Sequence, residues 1–157
     1  MDAVAGAAVV GTAEGGHDMR TAIAMIAALL ILMGPPGDAW EPDEADVTAL
    51  AQCLEGECGG CSVIQQKAVC CVVFNRVDSP DFPDTLLGVI TSPKQFHGYS
   101  PDNPVRDDLC ELAYQEIVRW HNGEAGVIGP EYLFFWGDGR RNHFTTQYHG
   151  GKEWCEG

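Results

Sequence analysis

Basic residues are scarce. Nine Lys and Arg stand against 23 Asp and Glu in 157 residues, giving a net charge of −14 and a pI near 4.4. Nowhere do Lys and Arg gather into a patch. The chain therefore lacks the electrostatic footprint that holds nucleic-acid phosphates or anionic lipid headgroups, and neither is expected as a partner. It also lacks an apolar run of the roughly 20 residues that cross a bilayer as a helix. The longest uncharged apolar run, Ala22 to Met33, has 12. No internal repeat is visible, and 16.9 kDa leaves no room for a separate cofactor fold beside a catalytic one. What is present, 45% hydrophobic and 20% charged, suffices for a buried core. Cysteine stands out, with seven.

Residues 1 to 18 are rich in Gly and Ala and show no helix-period apolar stripe. The run AIAMIAALLILM at 22–33 has the length of a signal-peptide apolar region. Arg20 precedes it, Gly34-Pro35-Pro36-Gly37 breaks it, and Gly37 and Ala39 supply small residues for cleavage. Asp2, Glu14 and Asp18 make the stretch ahead acidic, whereas a start at Met19 leaves an ordinary signal. The expected organisation is a leader over 1–39 and a folded domain over 40–157, monomeric and secreted or cell-wall associated. Segment 22–33 acts as signal or transient membrane tether. The other reading of the leader is a buried or disordered apolar N-terminus. The segment from Trp40 on keeps 19 acidic and 8 basic residues, net −11, and all seven cysteines.

Helical periodicity dominates that segment. Val47, Leu50, Ala51 and Leu54 share a helix face that starts at Pro42-Asp43 and stops at Gly59-Gly60. Ser62 and Gln65 form a capping-box pattern ahead of a second helix. Its half AVCCVVF is apolar on nearly all sides, and Asp78-Ser79-Pro80 ends it. A short helix is expected from about Thr85, capped by Asp84. A third long helix begins with Asp107 and Asp108, lines its inner face with Leu109, Leu112, Ala113, Ile117 and Trp120, and closes at Asn122-Gly123. YLFFW at 132–136 reads as a strand, Gly137-Asp138-Gly139 as a turn, and 142–148 as an aromatic, His-bearing stretch. The fold class expected is α+β, mainly α, in a single domain.

Glu55 and Glu57 fall at the C-terminal end of the first helix, where unpaired carbonyls disfavour a carboxylate. Facing a partly apolar cleft, such a glutamate holds a proton and can act as a general acid. Facing water, the two are ordinary solvated side chains, and position alone leaves both readings open. Leu50 to Val77 resembles, without a gap, the spore-cortex-lytic and cell-wall hydrolase family. That family's pattern is a helix ending in aromatic-Gly-Glu, a Gly-containing turn, then a Gln-bearing, Ala/Val-rich helix ending in Asn-Arg-Val. Here the elements are Glu55-Gly56-Glu57, Gly59-Gly60, Gln66 with Ala68-Val69, and Asn75-Arg76-Val77. The similarity continues through Phe82-Pro83, Val89-Ile90 and Gln95-Phe96 and resumes at Phe134-Phe135 and Asn142-His143-Phe144.

The resemblance implies a lysozyme-like fold and cleavage of peptidoglycan glycan strands at the bond from N-acetylmuramic acid to N-acetylglucosamine. The catalytic glutamate falls on Glu57. In the lytic-transglycosylase version one acid suffices, because the sugar's own 6-hydroxyl closes on C1. A hydrolytic route wants a partner carboxylate at roughly 5 to 9.5 Å, for which Glu55 and Asp138 are the candidates. Gln95 and His143 match groove-lining positions, with a capping amide and a structural histidine as the alternatives. Tyr99, Phe135 and Trp136 are candidate sugar-stacking faces or core aromatics. Two positions depart from the pattern: Glu55 replaces the aromatic, and Cys61 stands where a second acid would. They leave open a non-catalytic wall-binding or structural descendant of the same fold.

Cys58 and Cys61 have C-x2-C spacing, but no second Cys or His pair follows at zinc spacing, since His143 and His149 are six apart. A thioredoxin-like role lacks its βαβ context. A Cys-dependent metal or redox module is therefore the third reading, and no metal and no cofactor are expected. Cys70 and Cys71 read as small core residues, while Cys53, Cys58, Cys61, Cys110 and Cys155 are available to pair in an exported chain.

Overall fold

The computed structural model describes residues 40–156, so the expected leader lies outside the described residues. Among the described residues, four helices precede a three-stranded antiparallel sheet, an α+β arrangement that is mainly α. Helix α1 spans Glu44–Cys58, α2 Val63–Val77, α3 Leu86–Thr91 and α4 Asp107–His121. Strand β1 spans Phe134–Gly137, β2 Asn142–Gln147 and β3 Gly150–Trp154, in the order β1-β2-β3. No described helix is long and apolar enough to cross a membrane.

Helix α1 starts where Asp43 caps it, its carboxylate accepting the Ala45 N–H at 2.8 Å. Leu50, Ala51 and Leu54 are fully buried, as their spacing requires, and Val47 packs at the rim of the core. Helix α2 is the central element, packing against the other three helices and against β1. From Ala68 to Phe74 every residue is buried, which is why AVCCVVF carries no polar face. Burying each such Val or Leu contributes roughly 1.5–3 kcal/mol against exposure.

Local patterns were redirected where tertiary partners competed. Ser62 caps α2 by accepting the Gln65 N–H at 3.2 Å. Gln65 does not return the bond, because its Oε1 accepts the Asn142 N–H at 3.0 Å and ties α2 to β2. Helix α3 is capped by Thr85, not Asp84. Thr85 is the last extended residue, and its Oγ1 accepts the Gly88 N–H at 3.1 Å. The expected strand at 132–136 begins only at Phe134, since the carbonyls of Tyr132 and Leu133 accept from Asn75 Nδ2 (2.9 Å) and Arg76 Nε (2.8 Å). Strand β3 was not visible in the sequence: GGKEW has no alternating apolar face, and only pairing with β2 makes it a strand. Trp120 is half-buried, its ring stacked 5.0 Å from Phe74 and its Nε1 donating to Asp78 at 3.0 Å.

The inner face of α4 also buries Glu116, whose side chain is 3% exposed and bridges Lys67 of α2 (3.2 Å) and Arg119 (2.7 Å). Removing it strands two partly buried cations. Glu116→Ala is expected to lower unfolding free energy by about 2–3 kcal/mol, below the full cost of a broken buried pair because both cations keep some water. Urea denaturation of the two proteins measures this.

Candidate active site

The end of α1 meets the loop 96–103 in a backbone-to-backbone contact. A Cβ on Gly56 would lie 1.7 Å from the Gly98 carbonyl oxygen, and one on Gly98 would lie 2.2 Å from that of Gly56. An amide pair holds the loop there. Gln52 Nε2 donates to Pro101 O at 2.7 Å, while Asn103 Nδ2 donates to Gln52 O at 2.9 Å and Gly98 O at 2.7 Å. The consequence is a fixed glutamate: the Gly98 N–H donates to Glu57 Oε1 at 2.7 Å. Glu57 Oε2 has no hydrogen-bond partner among the described residues.

Glu57 stands at the junction of two clefts. One, of about 730 Å3, is walled by Phe134, Phe135, Trp136 and Tyr148 and faced by Gln95 and His97. The other, of about 500 Å3, runs over the Gly59-Gly60 turn toward Arg140 and Arg141. Glu57, Gly137 and Asn142 line both.

Of the six residues singled out in the sequence, Glu57, Gln95, Phe135 and Trp136 line the larger cleft together. Trp136 is 50% exposed and presents a ring face, whereas Phe135 is tied into the core through Phe96 and Phe144. Tyr99 lines neither cleft and packs at the edge of the core. His143 also lies outside both. It stacks behind Trp136 at 4.2 Å, with Nδ1 2.8 Å from Glu153 and Nε2 3.1 Å from Asp138. Those two carboxylates raise its pKa above the usual histidine value.

Both candidate partner carboxylates have partners of their own, although Glu55 lines the smaller cleft with Glu57. Glu55 Oε2 pairs with Arg106 at 3.0 Å, and the same Arg106 nitrogen donates to Gly59 O, placing a cation at the negative end of α1. Asp138 accepts the N–H groups of Arg141 and Arg140 and faces His143, contacts that hold its carboxyl well below the usual range. It lines neither cleft.

Arg76 was visible only as the middle of Asn-Arg-Val, yet it forms part of the cleft's lining. It is 3% exposed, and its guanidinium lies 5.0 Å from the Phe82 ring centre, 4.9 Å from Phe96 and 5.8 Å from Phe134. Burial lowers its pKa to about 10, partly offset by the neighbouring Cys53 and Glu57, so it is charged at neutral pH. Its Nη1 is buried with no partner among the described residues. The signal for it was the one charge in the apolar second half of the helix, after Lys67. His97, Tyr148 and His149 also line the cleft and carried no signal of their own.

All seven cysteines are free. Cys53, Cys70 and Cys71 are core residues, and none of the candidate pairs is bonded. Burial and the neighbouring Cys61 push the Cys58 thiol far up, and burial also raises Cys61, so the C-x2-C pair has little thiolate character.

The family model described as Cell Wall Hydrolase matches residues 60–153, beginning three residues after Glu57. Three curated relatives, all named spore cortex-lytic enzyme, are similar to the chain. That of Halalkalibacterium halodurans is 34% identical over 89 residues, covering 57% of this chain and 27% of the relative. That of Bacillus cereus is 41% identical over 89 residues, covering 57% and 34%. That of Bacillus subtilis is 41% identical over 78 residues, covering 50% and 25%. The matched part thus spans about a quarter to a third of their length. No solved structure matches the chain significantly.

The Gly56 contact is testable by itself. Gly56→Ala must part α1 from the 98–103 loop and should lower stability by about 1–3 kcal/mol, as overpacking does. Gly60→Ala, whose Cβ would meet nothing within 4 Å, should stay within about 0.5 kcal/mol of wild type in the same denaturation experiment.

Proposed function

The chain belongs to the cell wall hydrolase family, and from that footing we propose that it cleaves peptidoglycan glycan strands between N-acetylmuramic acid and N-acetylglucosamine as a lytic transglycosylase, with Glu57 as general acid. One observation carries the reading. Among the described residues, Glu57 is the one carboxylate lining the aromatic cleft, and it stands where that cleft meets the smaller groove.

A glycan strand running through both clefts passes its scissile bond over Glu57. Gly98 holds Oε1, so the proton is carried on Oε2 and goes to the glycosidic oxygen. The C1–O bond breaks, the N-acetylglucosamine 4-hydroxyl leaves, and the muramic 6-hydroxyl attacks C1. The proton it loses returns to Glu57, which regenerates the acid, and the product is a 1,6-anhydro sugar. No water is consumed and no second carboxylate is needed. This suits a site whose other candidates, Glu55 and Asp138, are committed to Arg106 and to a turn. Exposed Trp136 supplies a stacking face, Gln95 a hydrogen-bonding amide, and Arg76 a positive charge within a chain of net negative sign. Phe135 supports the wall from the core side, and Tyr99 and His143 act as supports outside the groove. The protein works outside the cell, exported through the apolar segment 22–33, as a monomer on the wall.

Glu57→Gln should lose about 10²–10⁴-fold of the rate at which a peptidoglycan suspension clears, the usual contribution of a general acid. Mass spectrometry of the wild-type products should find 1,6-anhydro-muropeptides. Reducing-end products would replace the transglycosylase with a hydrolase. Equal clearing by both proteins would overturn the role of Glu57, and no clearing by either would favour a non-catalytic wall-binding protein.

A further inference from the structure

Outside both clefts, three side chains of different chemistry converge on one face of the sheet. The metal-binding atoms of His143, Glu153 and Cys155 lie within 4.8 Å of one another. The register explains the meeting. Phe144 pairs with Trp154 and Thr145 with Glu153, so His143 and Cys155 fall opposite each other, and alternation puts Glu153 on the same face. We propose that these three residues bind one divalent transition-metal ion of the zinc class, clipping the end of β3 to β2.

The geometry fits with small adjustments. Tetrahedral zinc, with bonds of about 2.0 Å to nitrogen or oxygen and 2.3 Å to sulfur, needs donor atoms about 3.3–3.6 Å apart. His143 Nδ1 and Glu153 Oε1 stand 2.8 Å apart, so an ion between them parts them by about half an ångström, within the reach of side-chain rotation. The surroundings of His143 point the same way. Its Nε2 faces Asp138 Oδ2 at 3.1 Å, and Asp138 is itself fixed by the Arg140 and Arg141 N–H groups. A neutral imidazole donating Nε2–H to that carboxylate turns its Nδ1 lone pair toward Glu153 and Cys155, the carboxylate–histidine–metal arrangement of many zinc sites. The Trp136 ring, stacked within 7° of parallel, holds the imidazole plane.

One imidazole, one thiolate and one carboxylate suit zinc or cobalt and not magnesium or calcium, which prefer oxygen alone. Two anionic ligands balance a dication, and the Cys155 thiol proton, together with the Nδ1 proton of His143 when the ring is an imidazolium, is released to solvent on binding. A fourth position is left for water. Chain spacing hides the site, because the hairpin and not a local motif brings the ligands together.

The test uses the full-length protein, reduced, titrated with Co(II) and Zn(II) alone. The expected result is one Co(II) per chain with thiolate-to-cobalt absorption in the near ultraviolet, displaced by one equivalent of Zn(II), and a higher melting temperature with Zn(II). Cys155→Ser should abolish the absorption and the thermal shift. Asp138→Asn, which retains an oxygen for the turn, should weaken Zn(II) by about tenfold, as loss of such a supporting carboxylate does. Wild type that retains no zinc through gel filtration would overturn the proposal. So would an absorption that survives Cys155→Ser and vanishes in Cys61→Ser.

Discussion

The backbone contact between Gly56 and Gly98 is the constraint on which the site depends. With no Cβ on either side, the last turn of α1 comes close enough for the Gly98 N–H to reach Glu57. The amide exchange between Gln52 and Asn103 keeps the loop from drifting. A glutamate on a helix's final turn would otherwise swing in water. Here one oxygen is held and the other is left at the junction of the two clefts.

Charge is distributed to make such a site workable in an acidic protein. Arg106 sits against Glu55 and the Gly59 carbonyl, offsetting the negative end of α1 without entering the larger cleft. Arg76 lies among Phe82, Phe96 and Phe134, its charge tolerated because aromatic faces and the Leu133 carbonyl replace part of its water. The global field is negative, so under the proposed function attraction for a wall polymer would have to come from the groove.

The helices were legible because their periodicity and punctuation agree. Asp43 and Ser62 cap, the Gly59-Gly60 pair ends α1, and the apolar run of α2 has one possible location, the centre. Where local rules failed, a distant partner had taken the group concerned. Asn142 took the side chain of Gln65, and Arg76 and Asn75 took the carbonyls that would have extended β1. Strand β3 carries no apolar alternation, so nothing short of its pairing with β2 could reveal it. Cys70 and Cys71 sit in the core as their apolar run requires, whereas Cys53 and Cys58, which were available to pair, are also core residues, a distinction that composition and spacing do not make.

The sequence by itself determined the mainly helical core, the position of Glu57 on the last turn of α1, and the family resemblance, because all three rest on short-range order along the chain. Only the tertiary structure decided which of the candidate residues share a cleft. Gln95 and Trp136 join Glu57, Tyr99 and His143 stay outside, and Arg76, His97 and Tyr148 enter unannounced. That choice depends on how a loop docks on a helix end and how three strands align. The docking of the loop and of the sheet on the helices is set by contacts between residues more than 40 positions apart, such as Glu57 with Gly98 and Gln65 with Asn142, and the strand register by hairpin pairing, none of which a local pattern encodes.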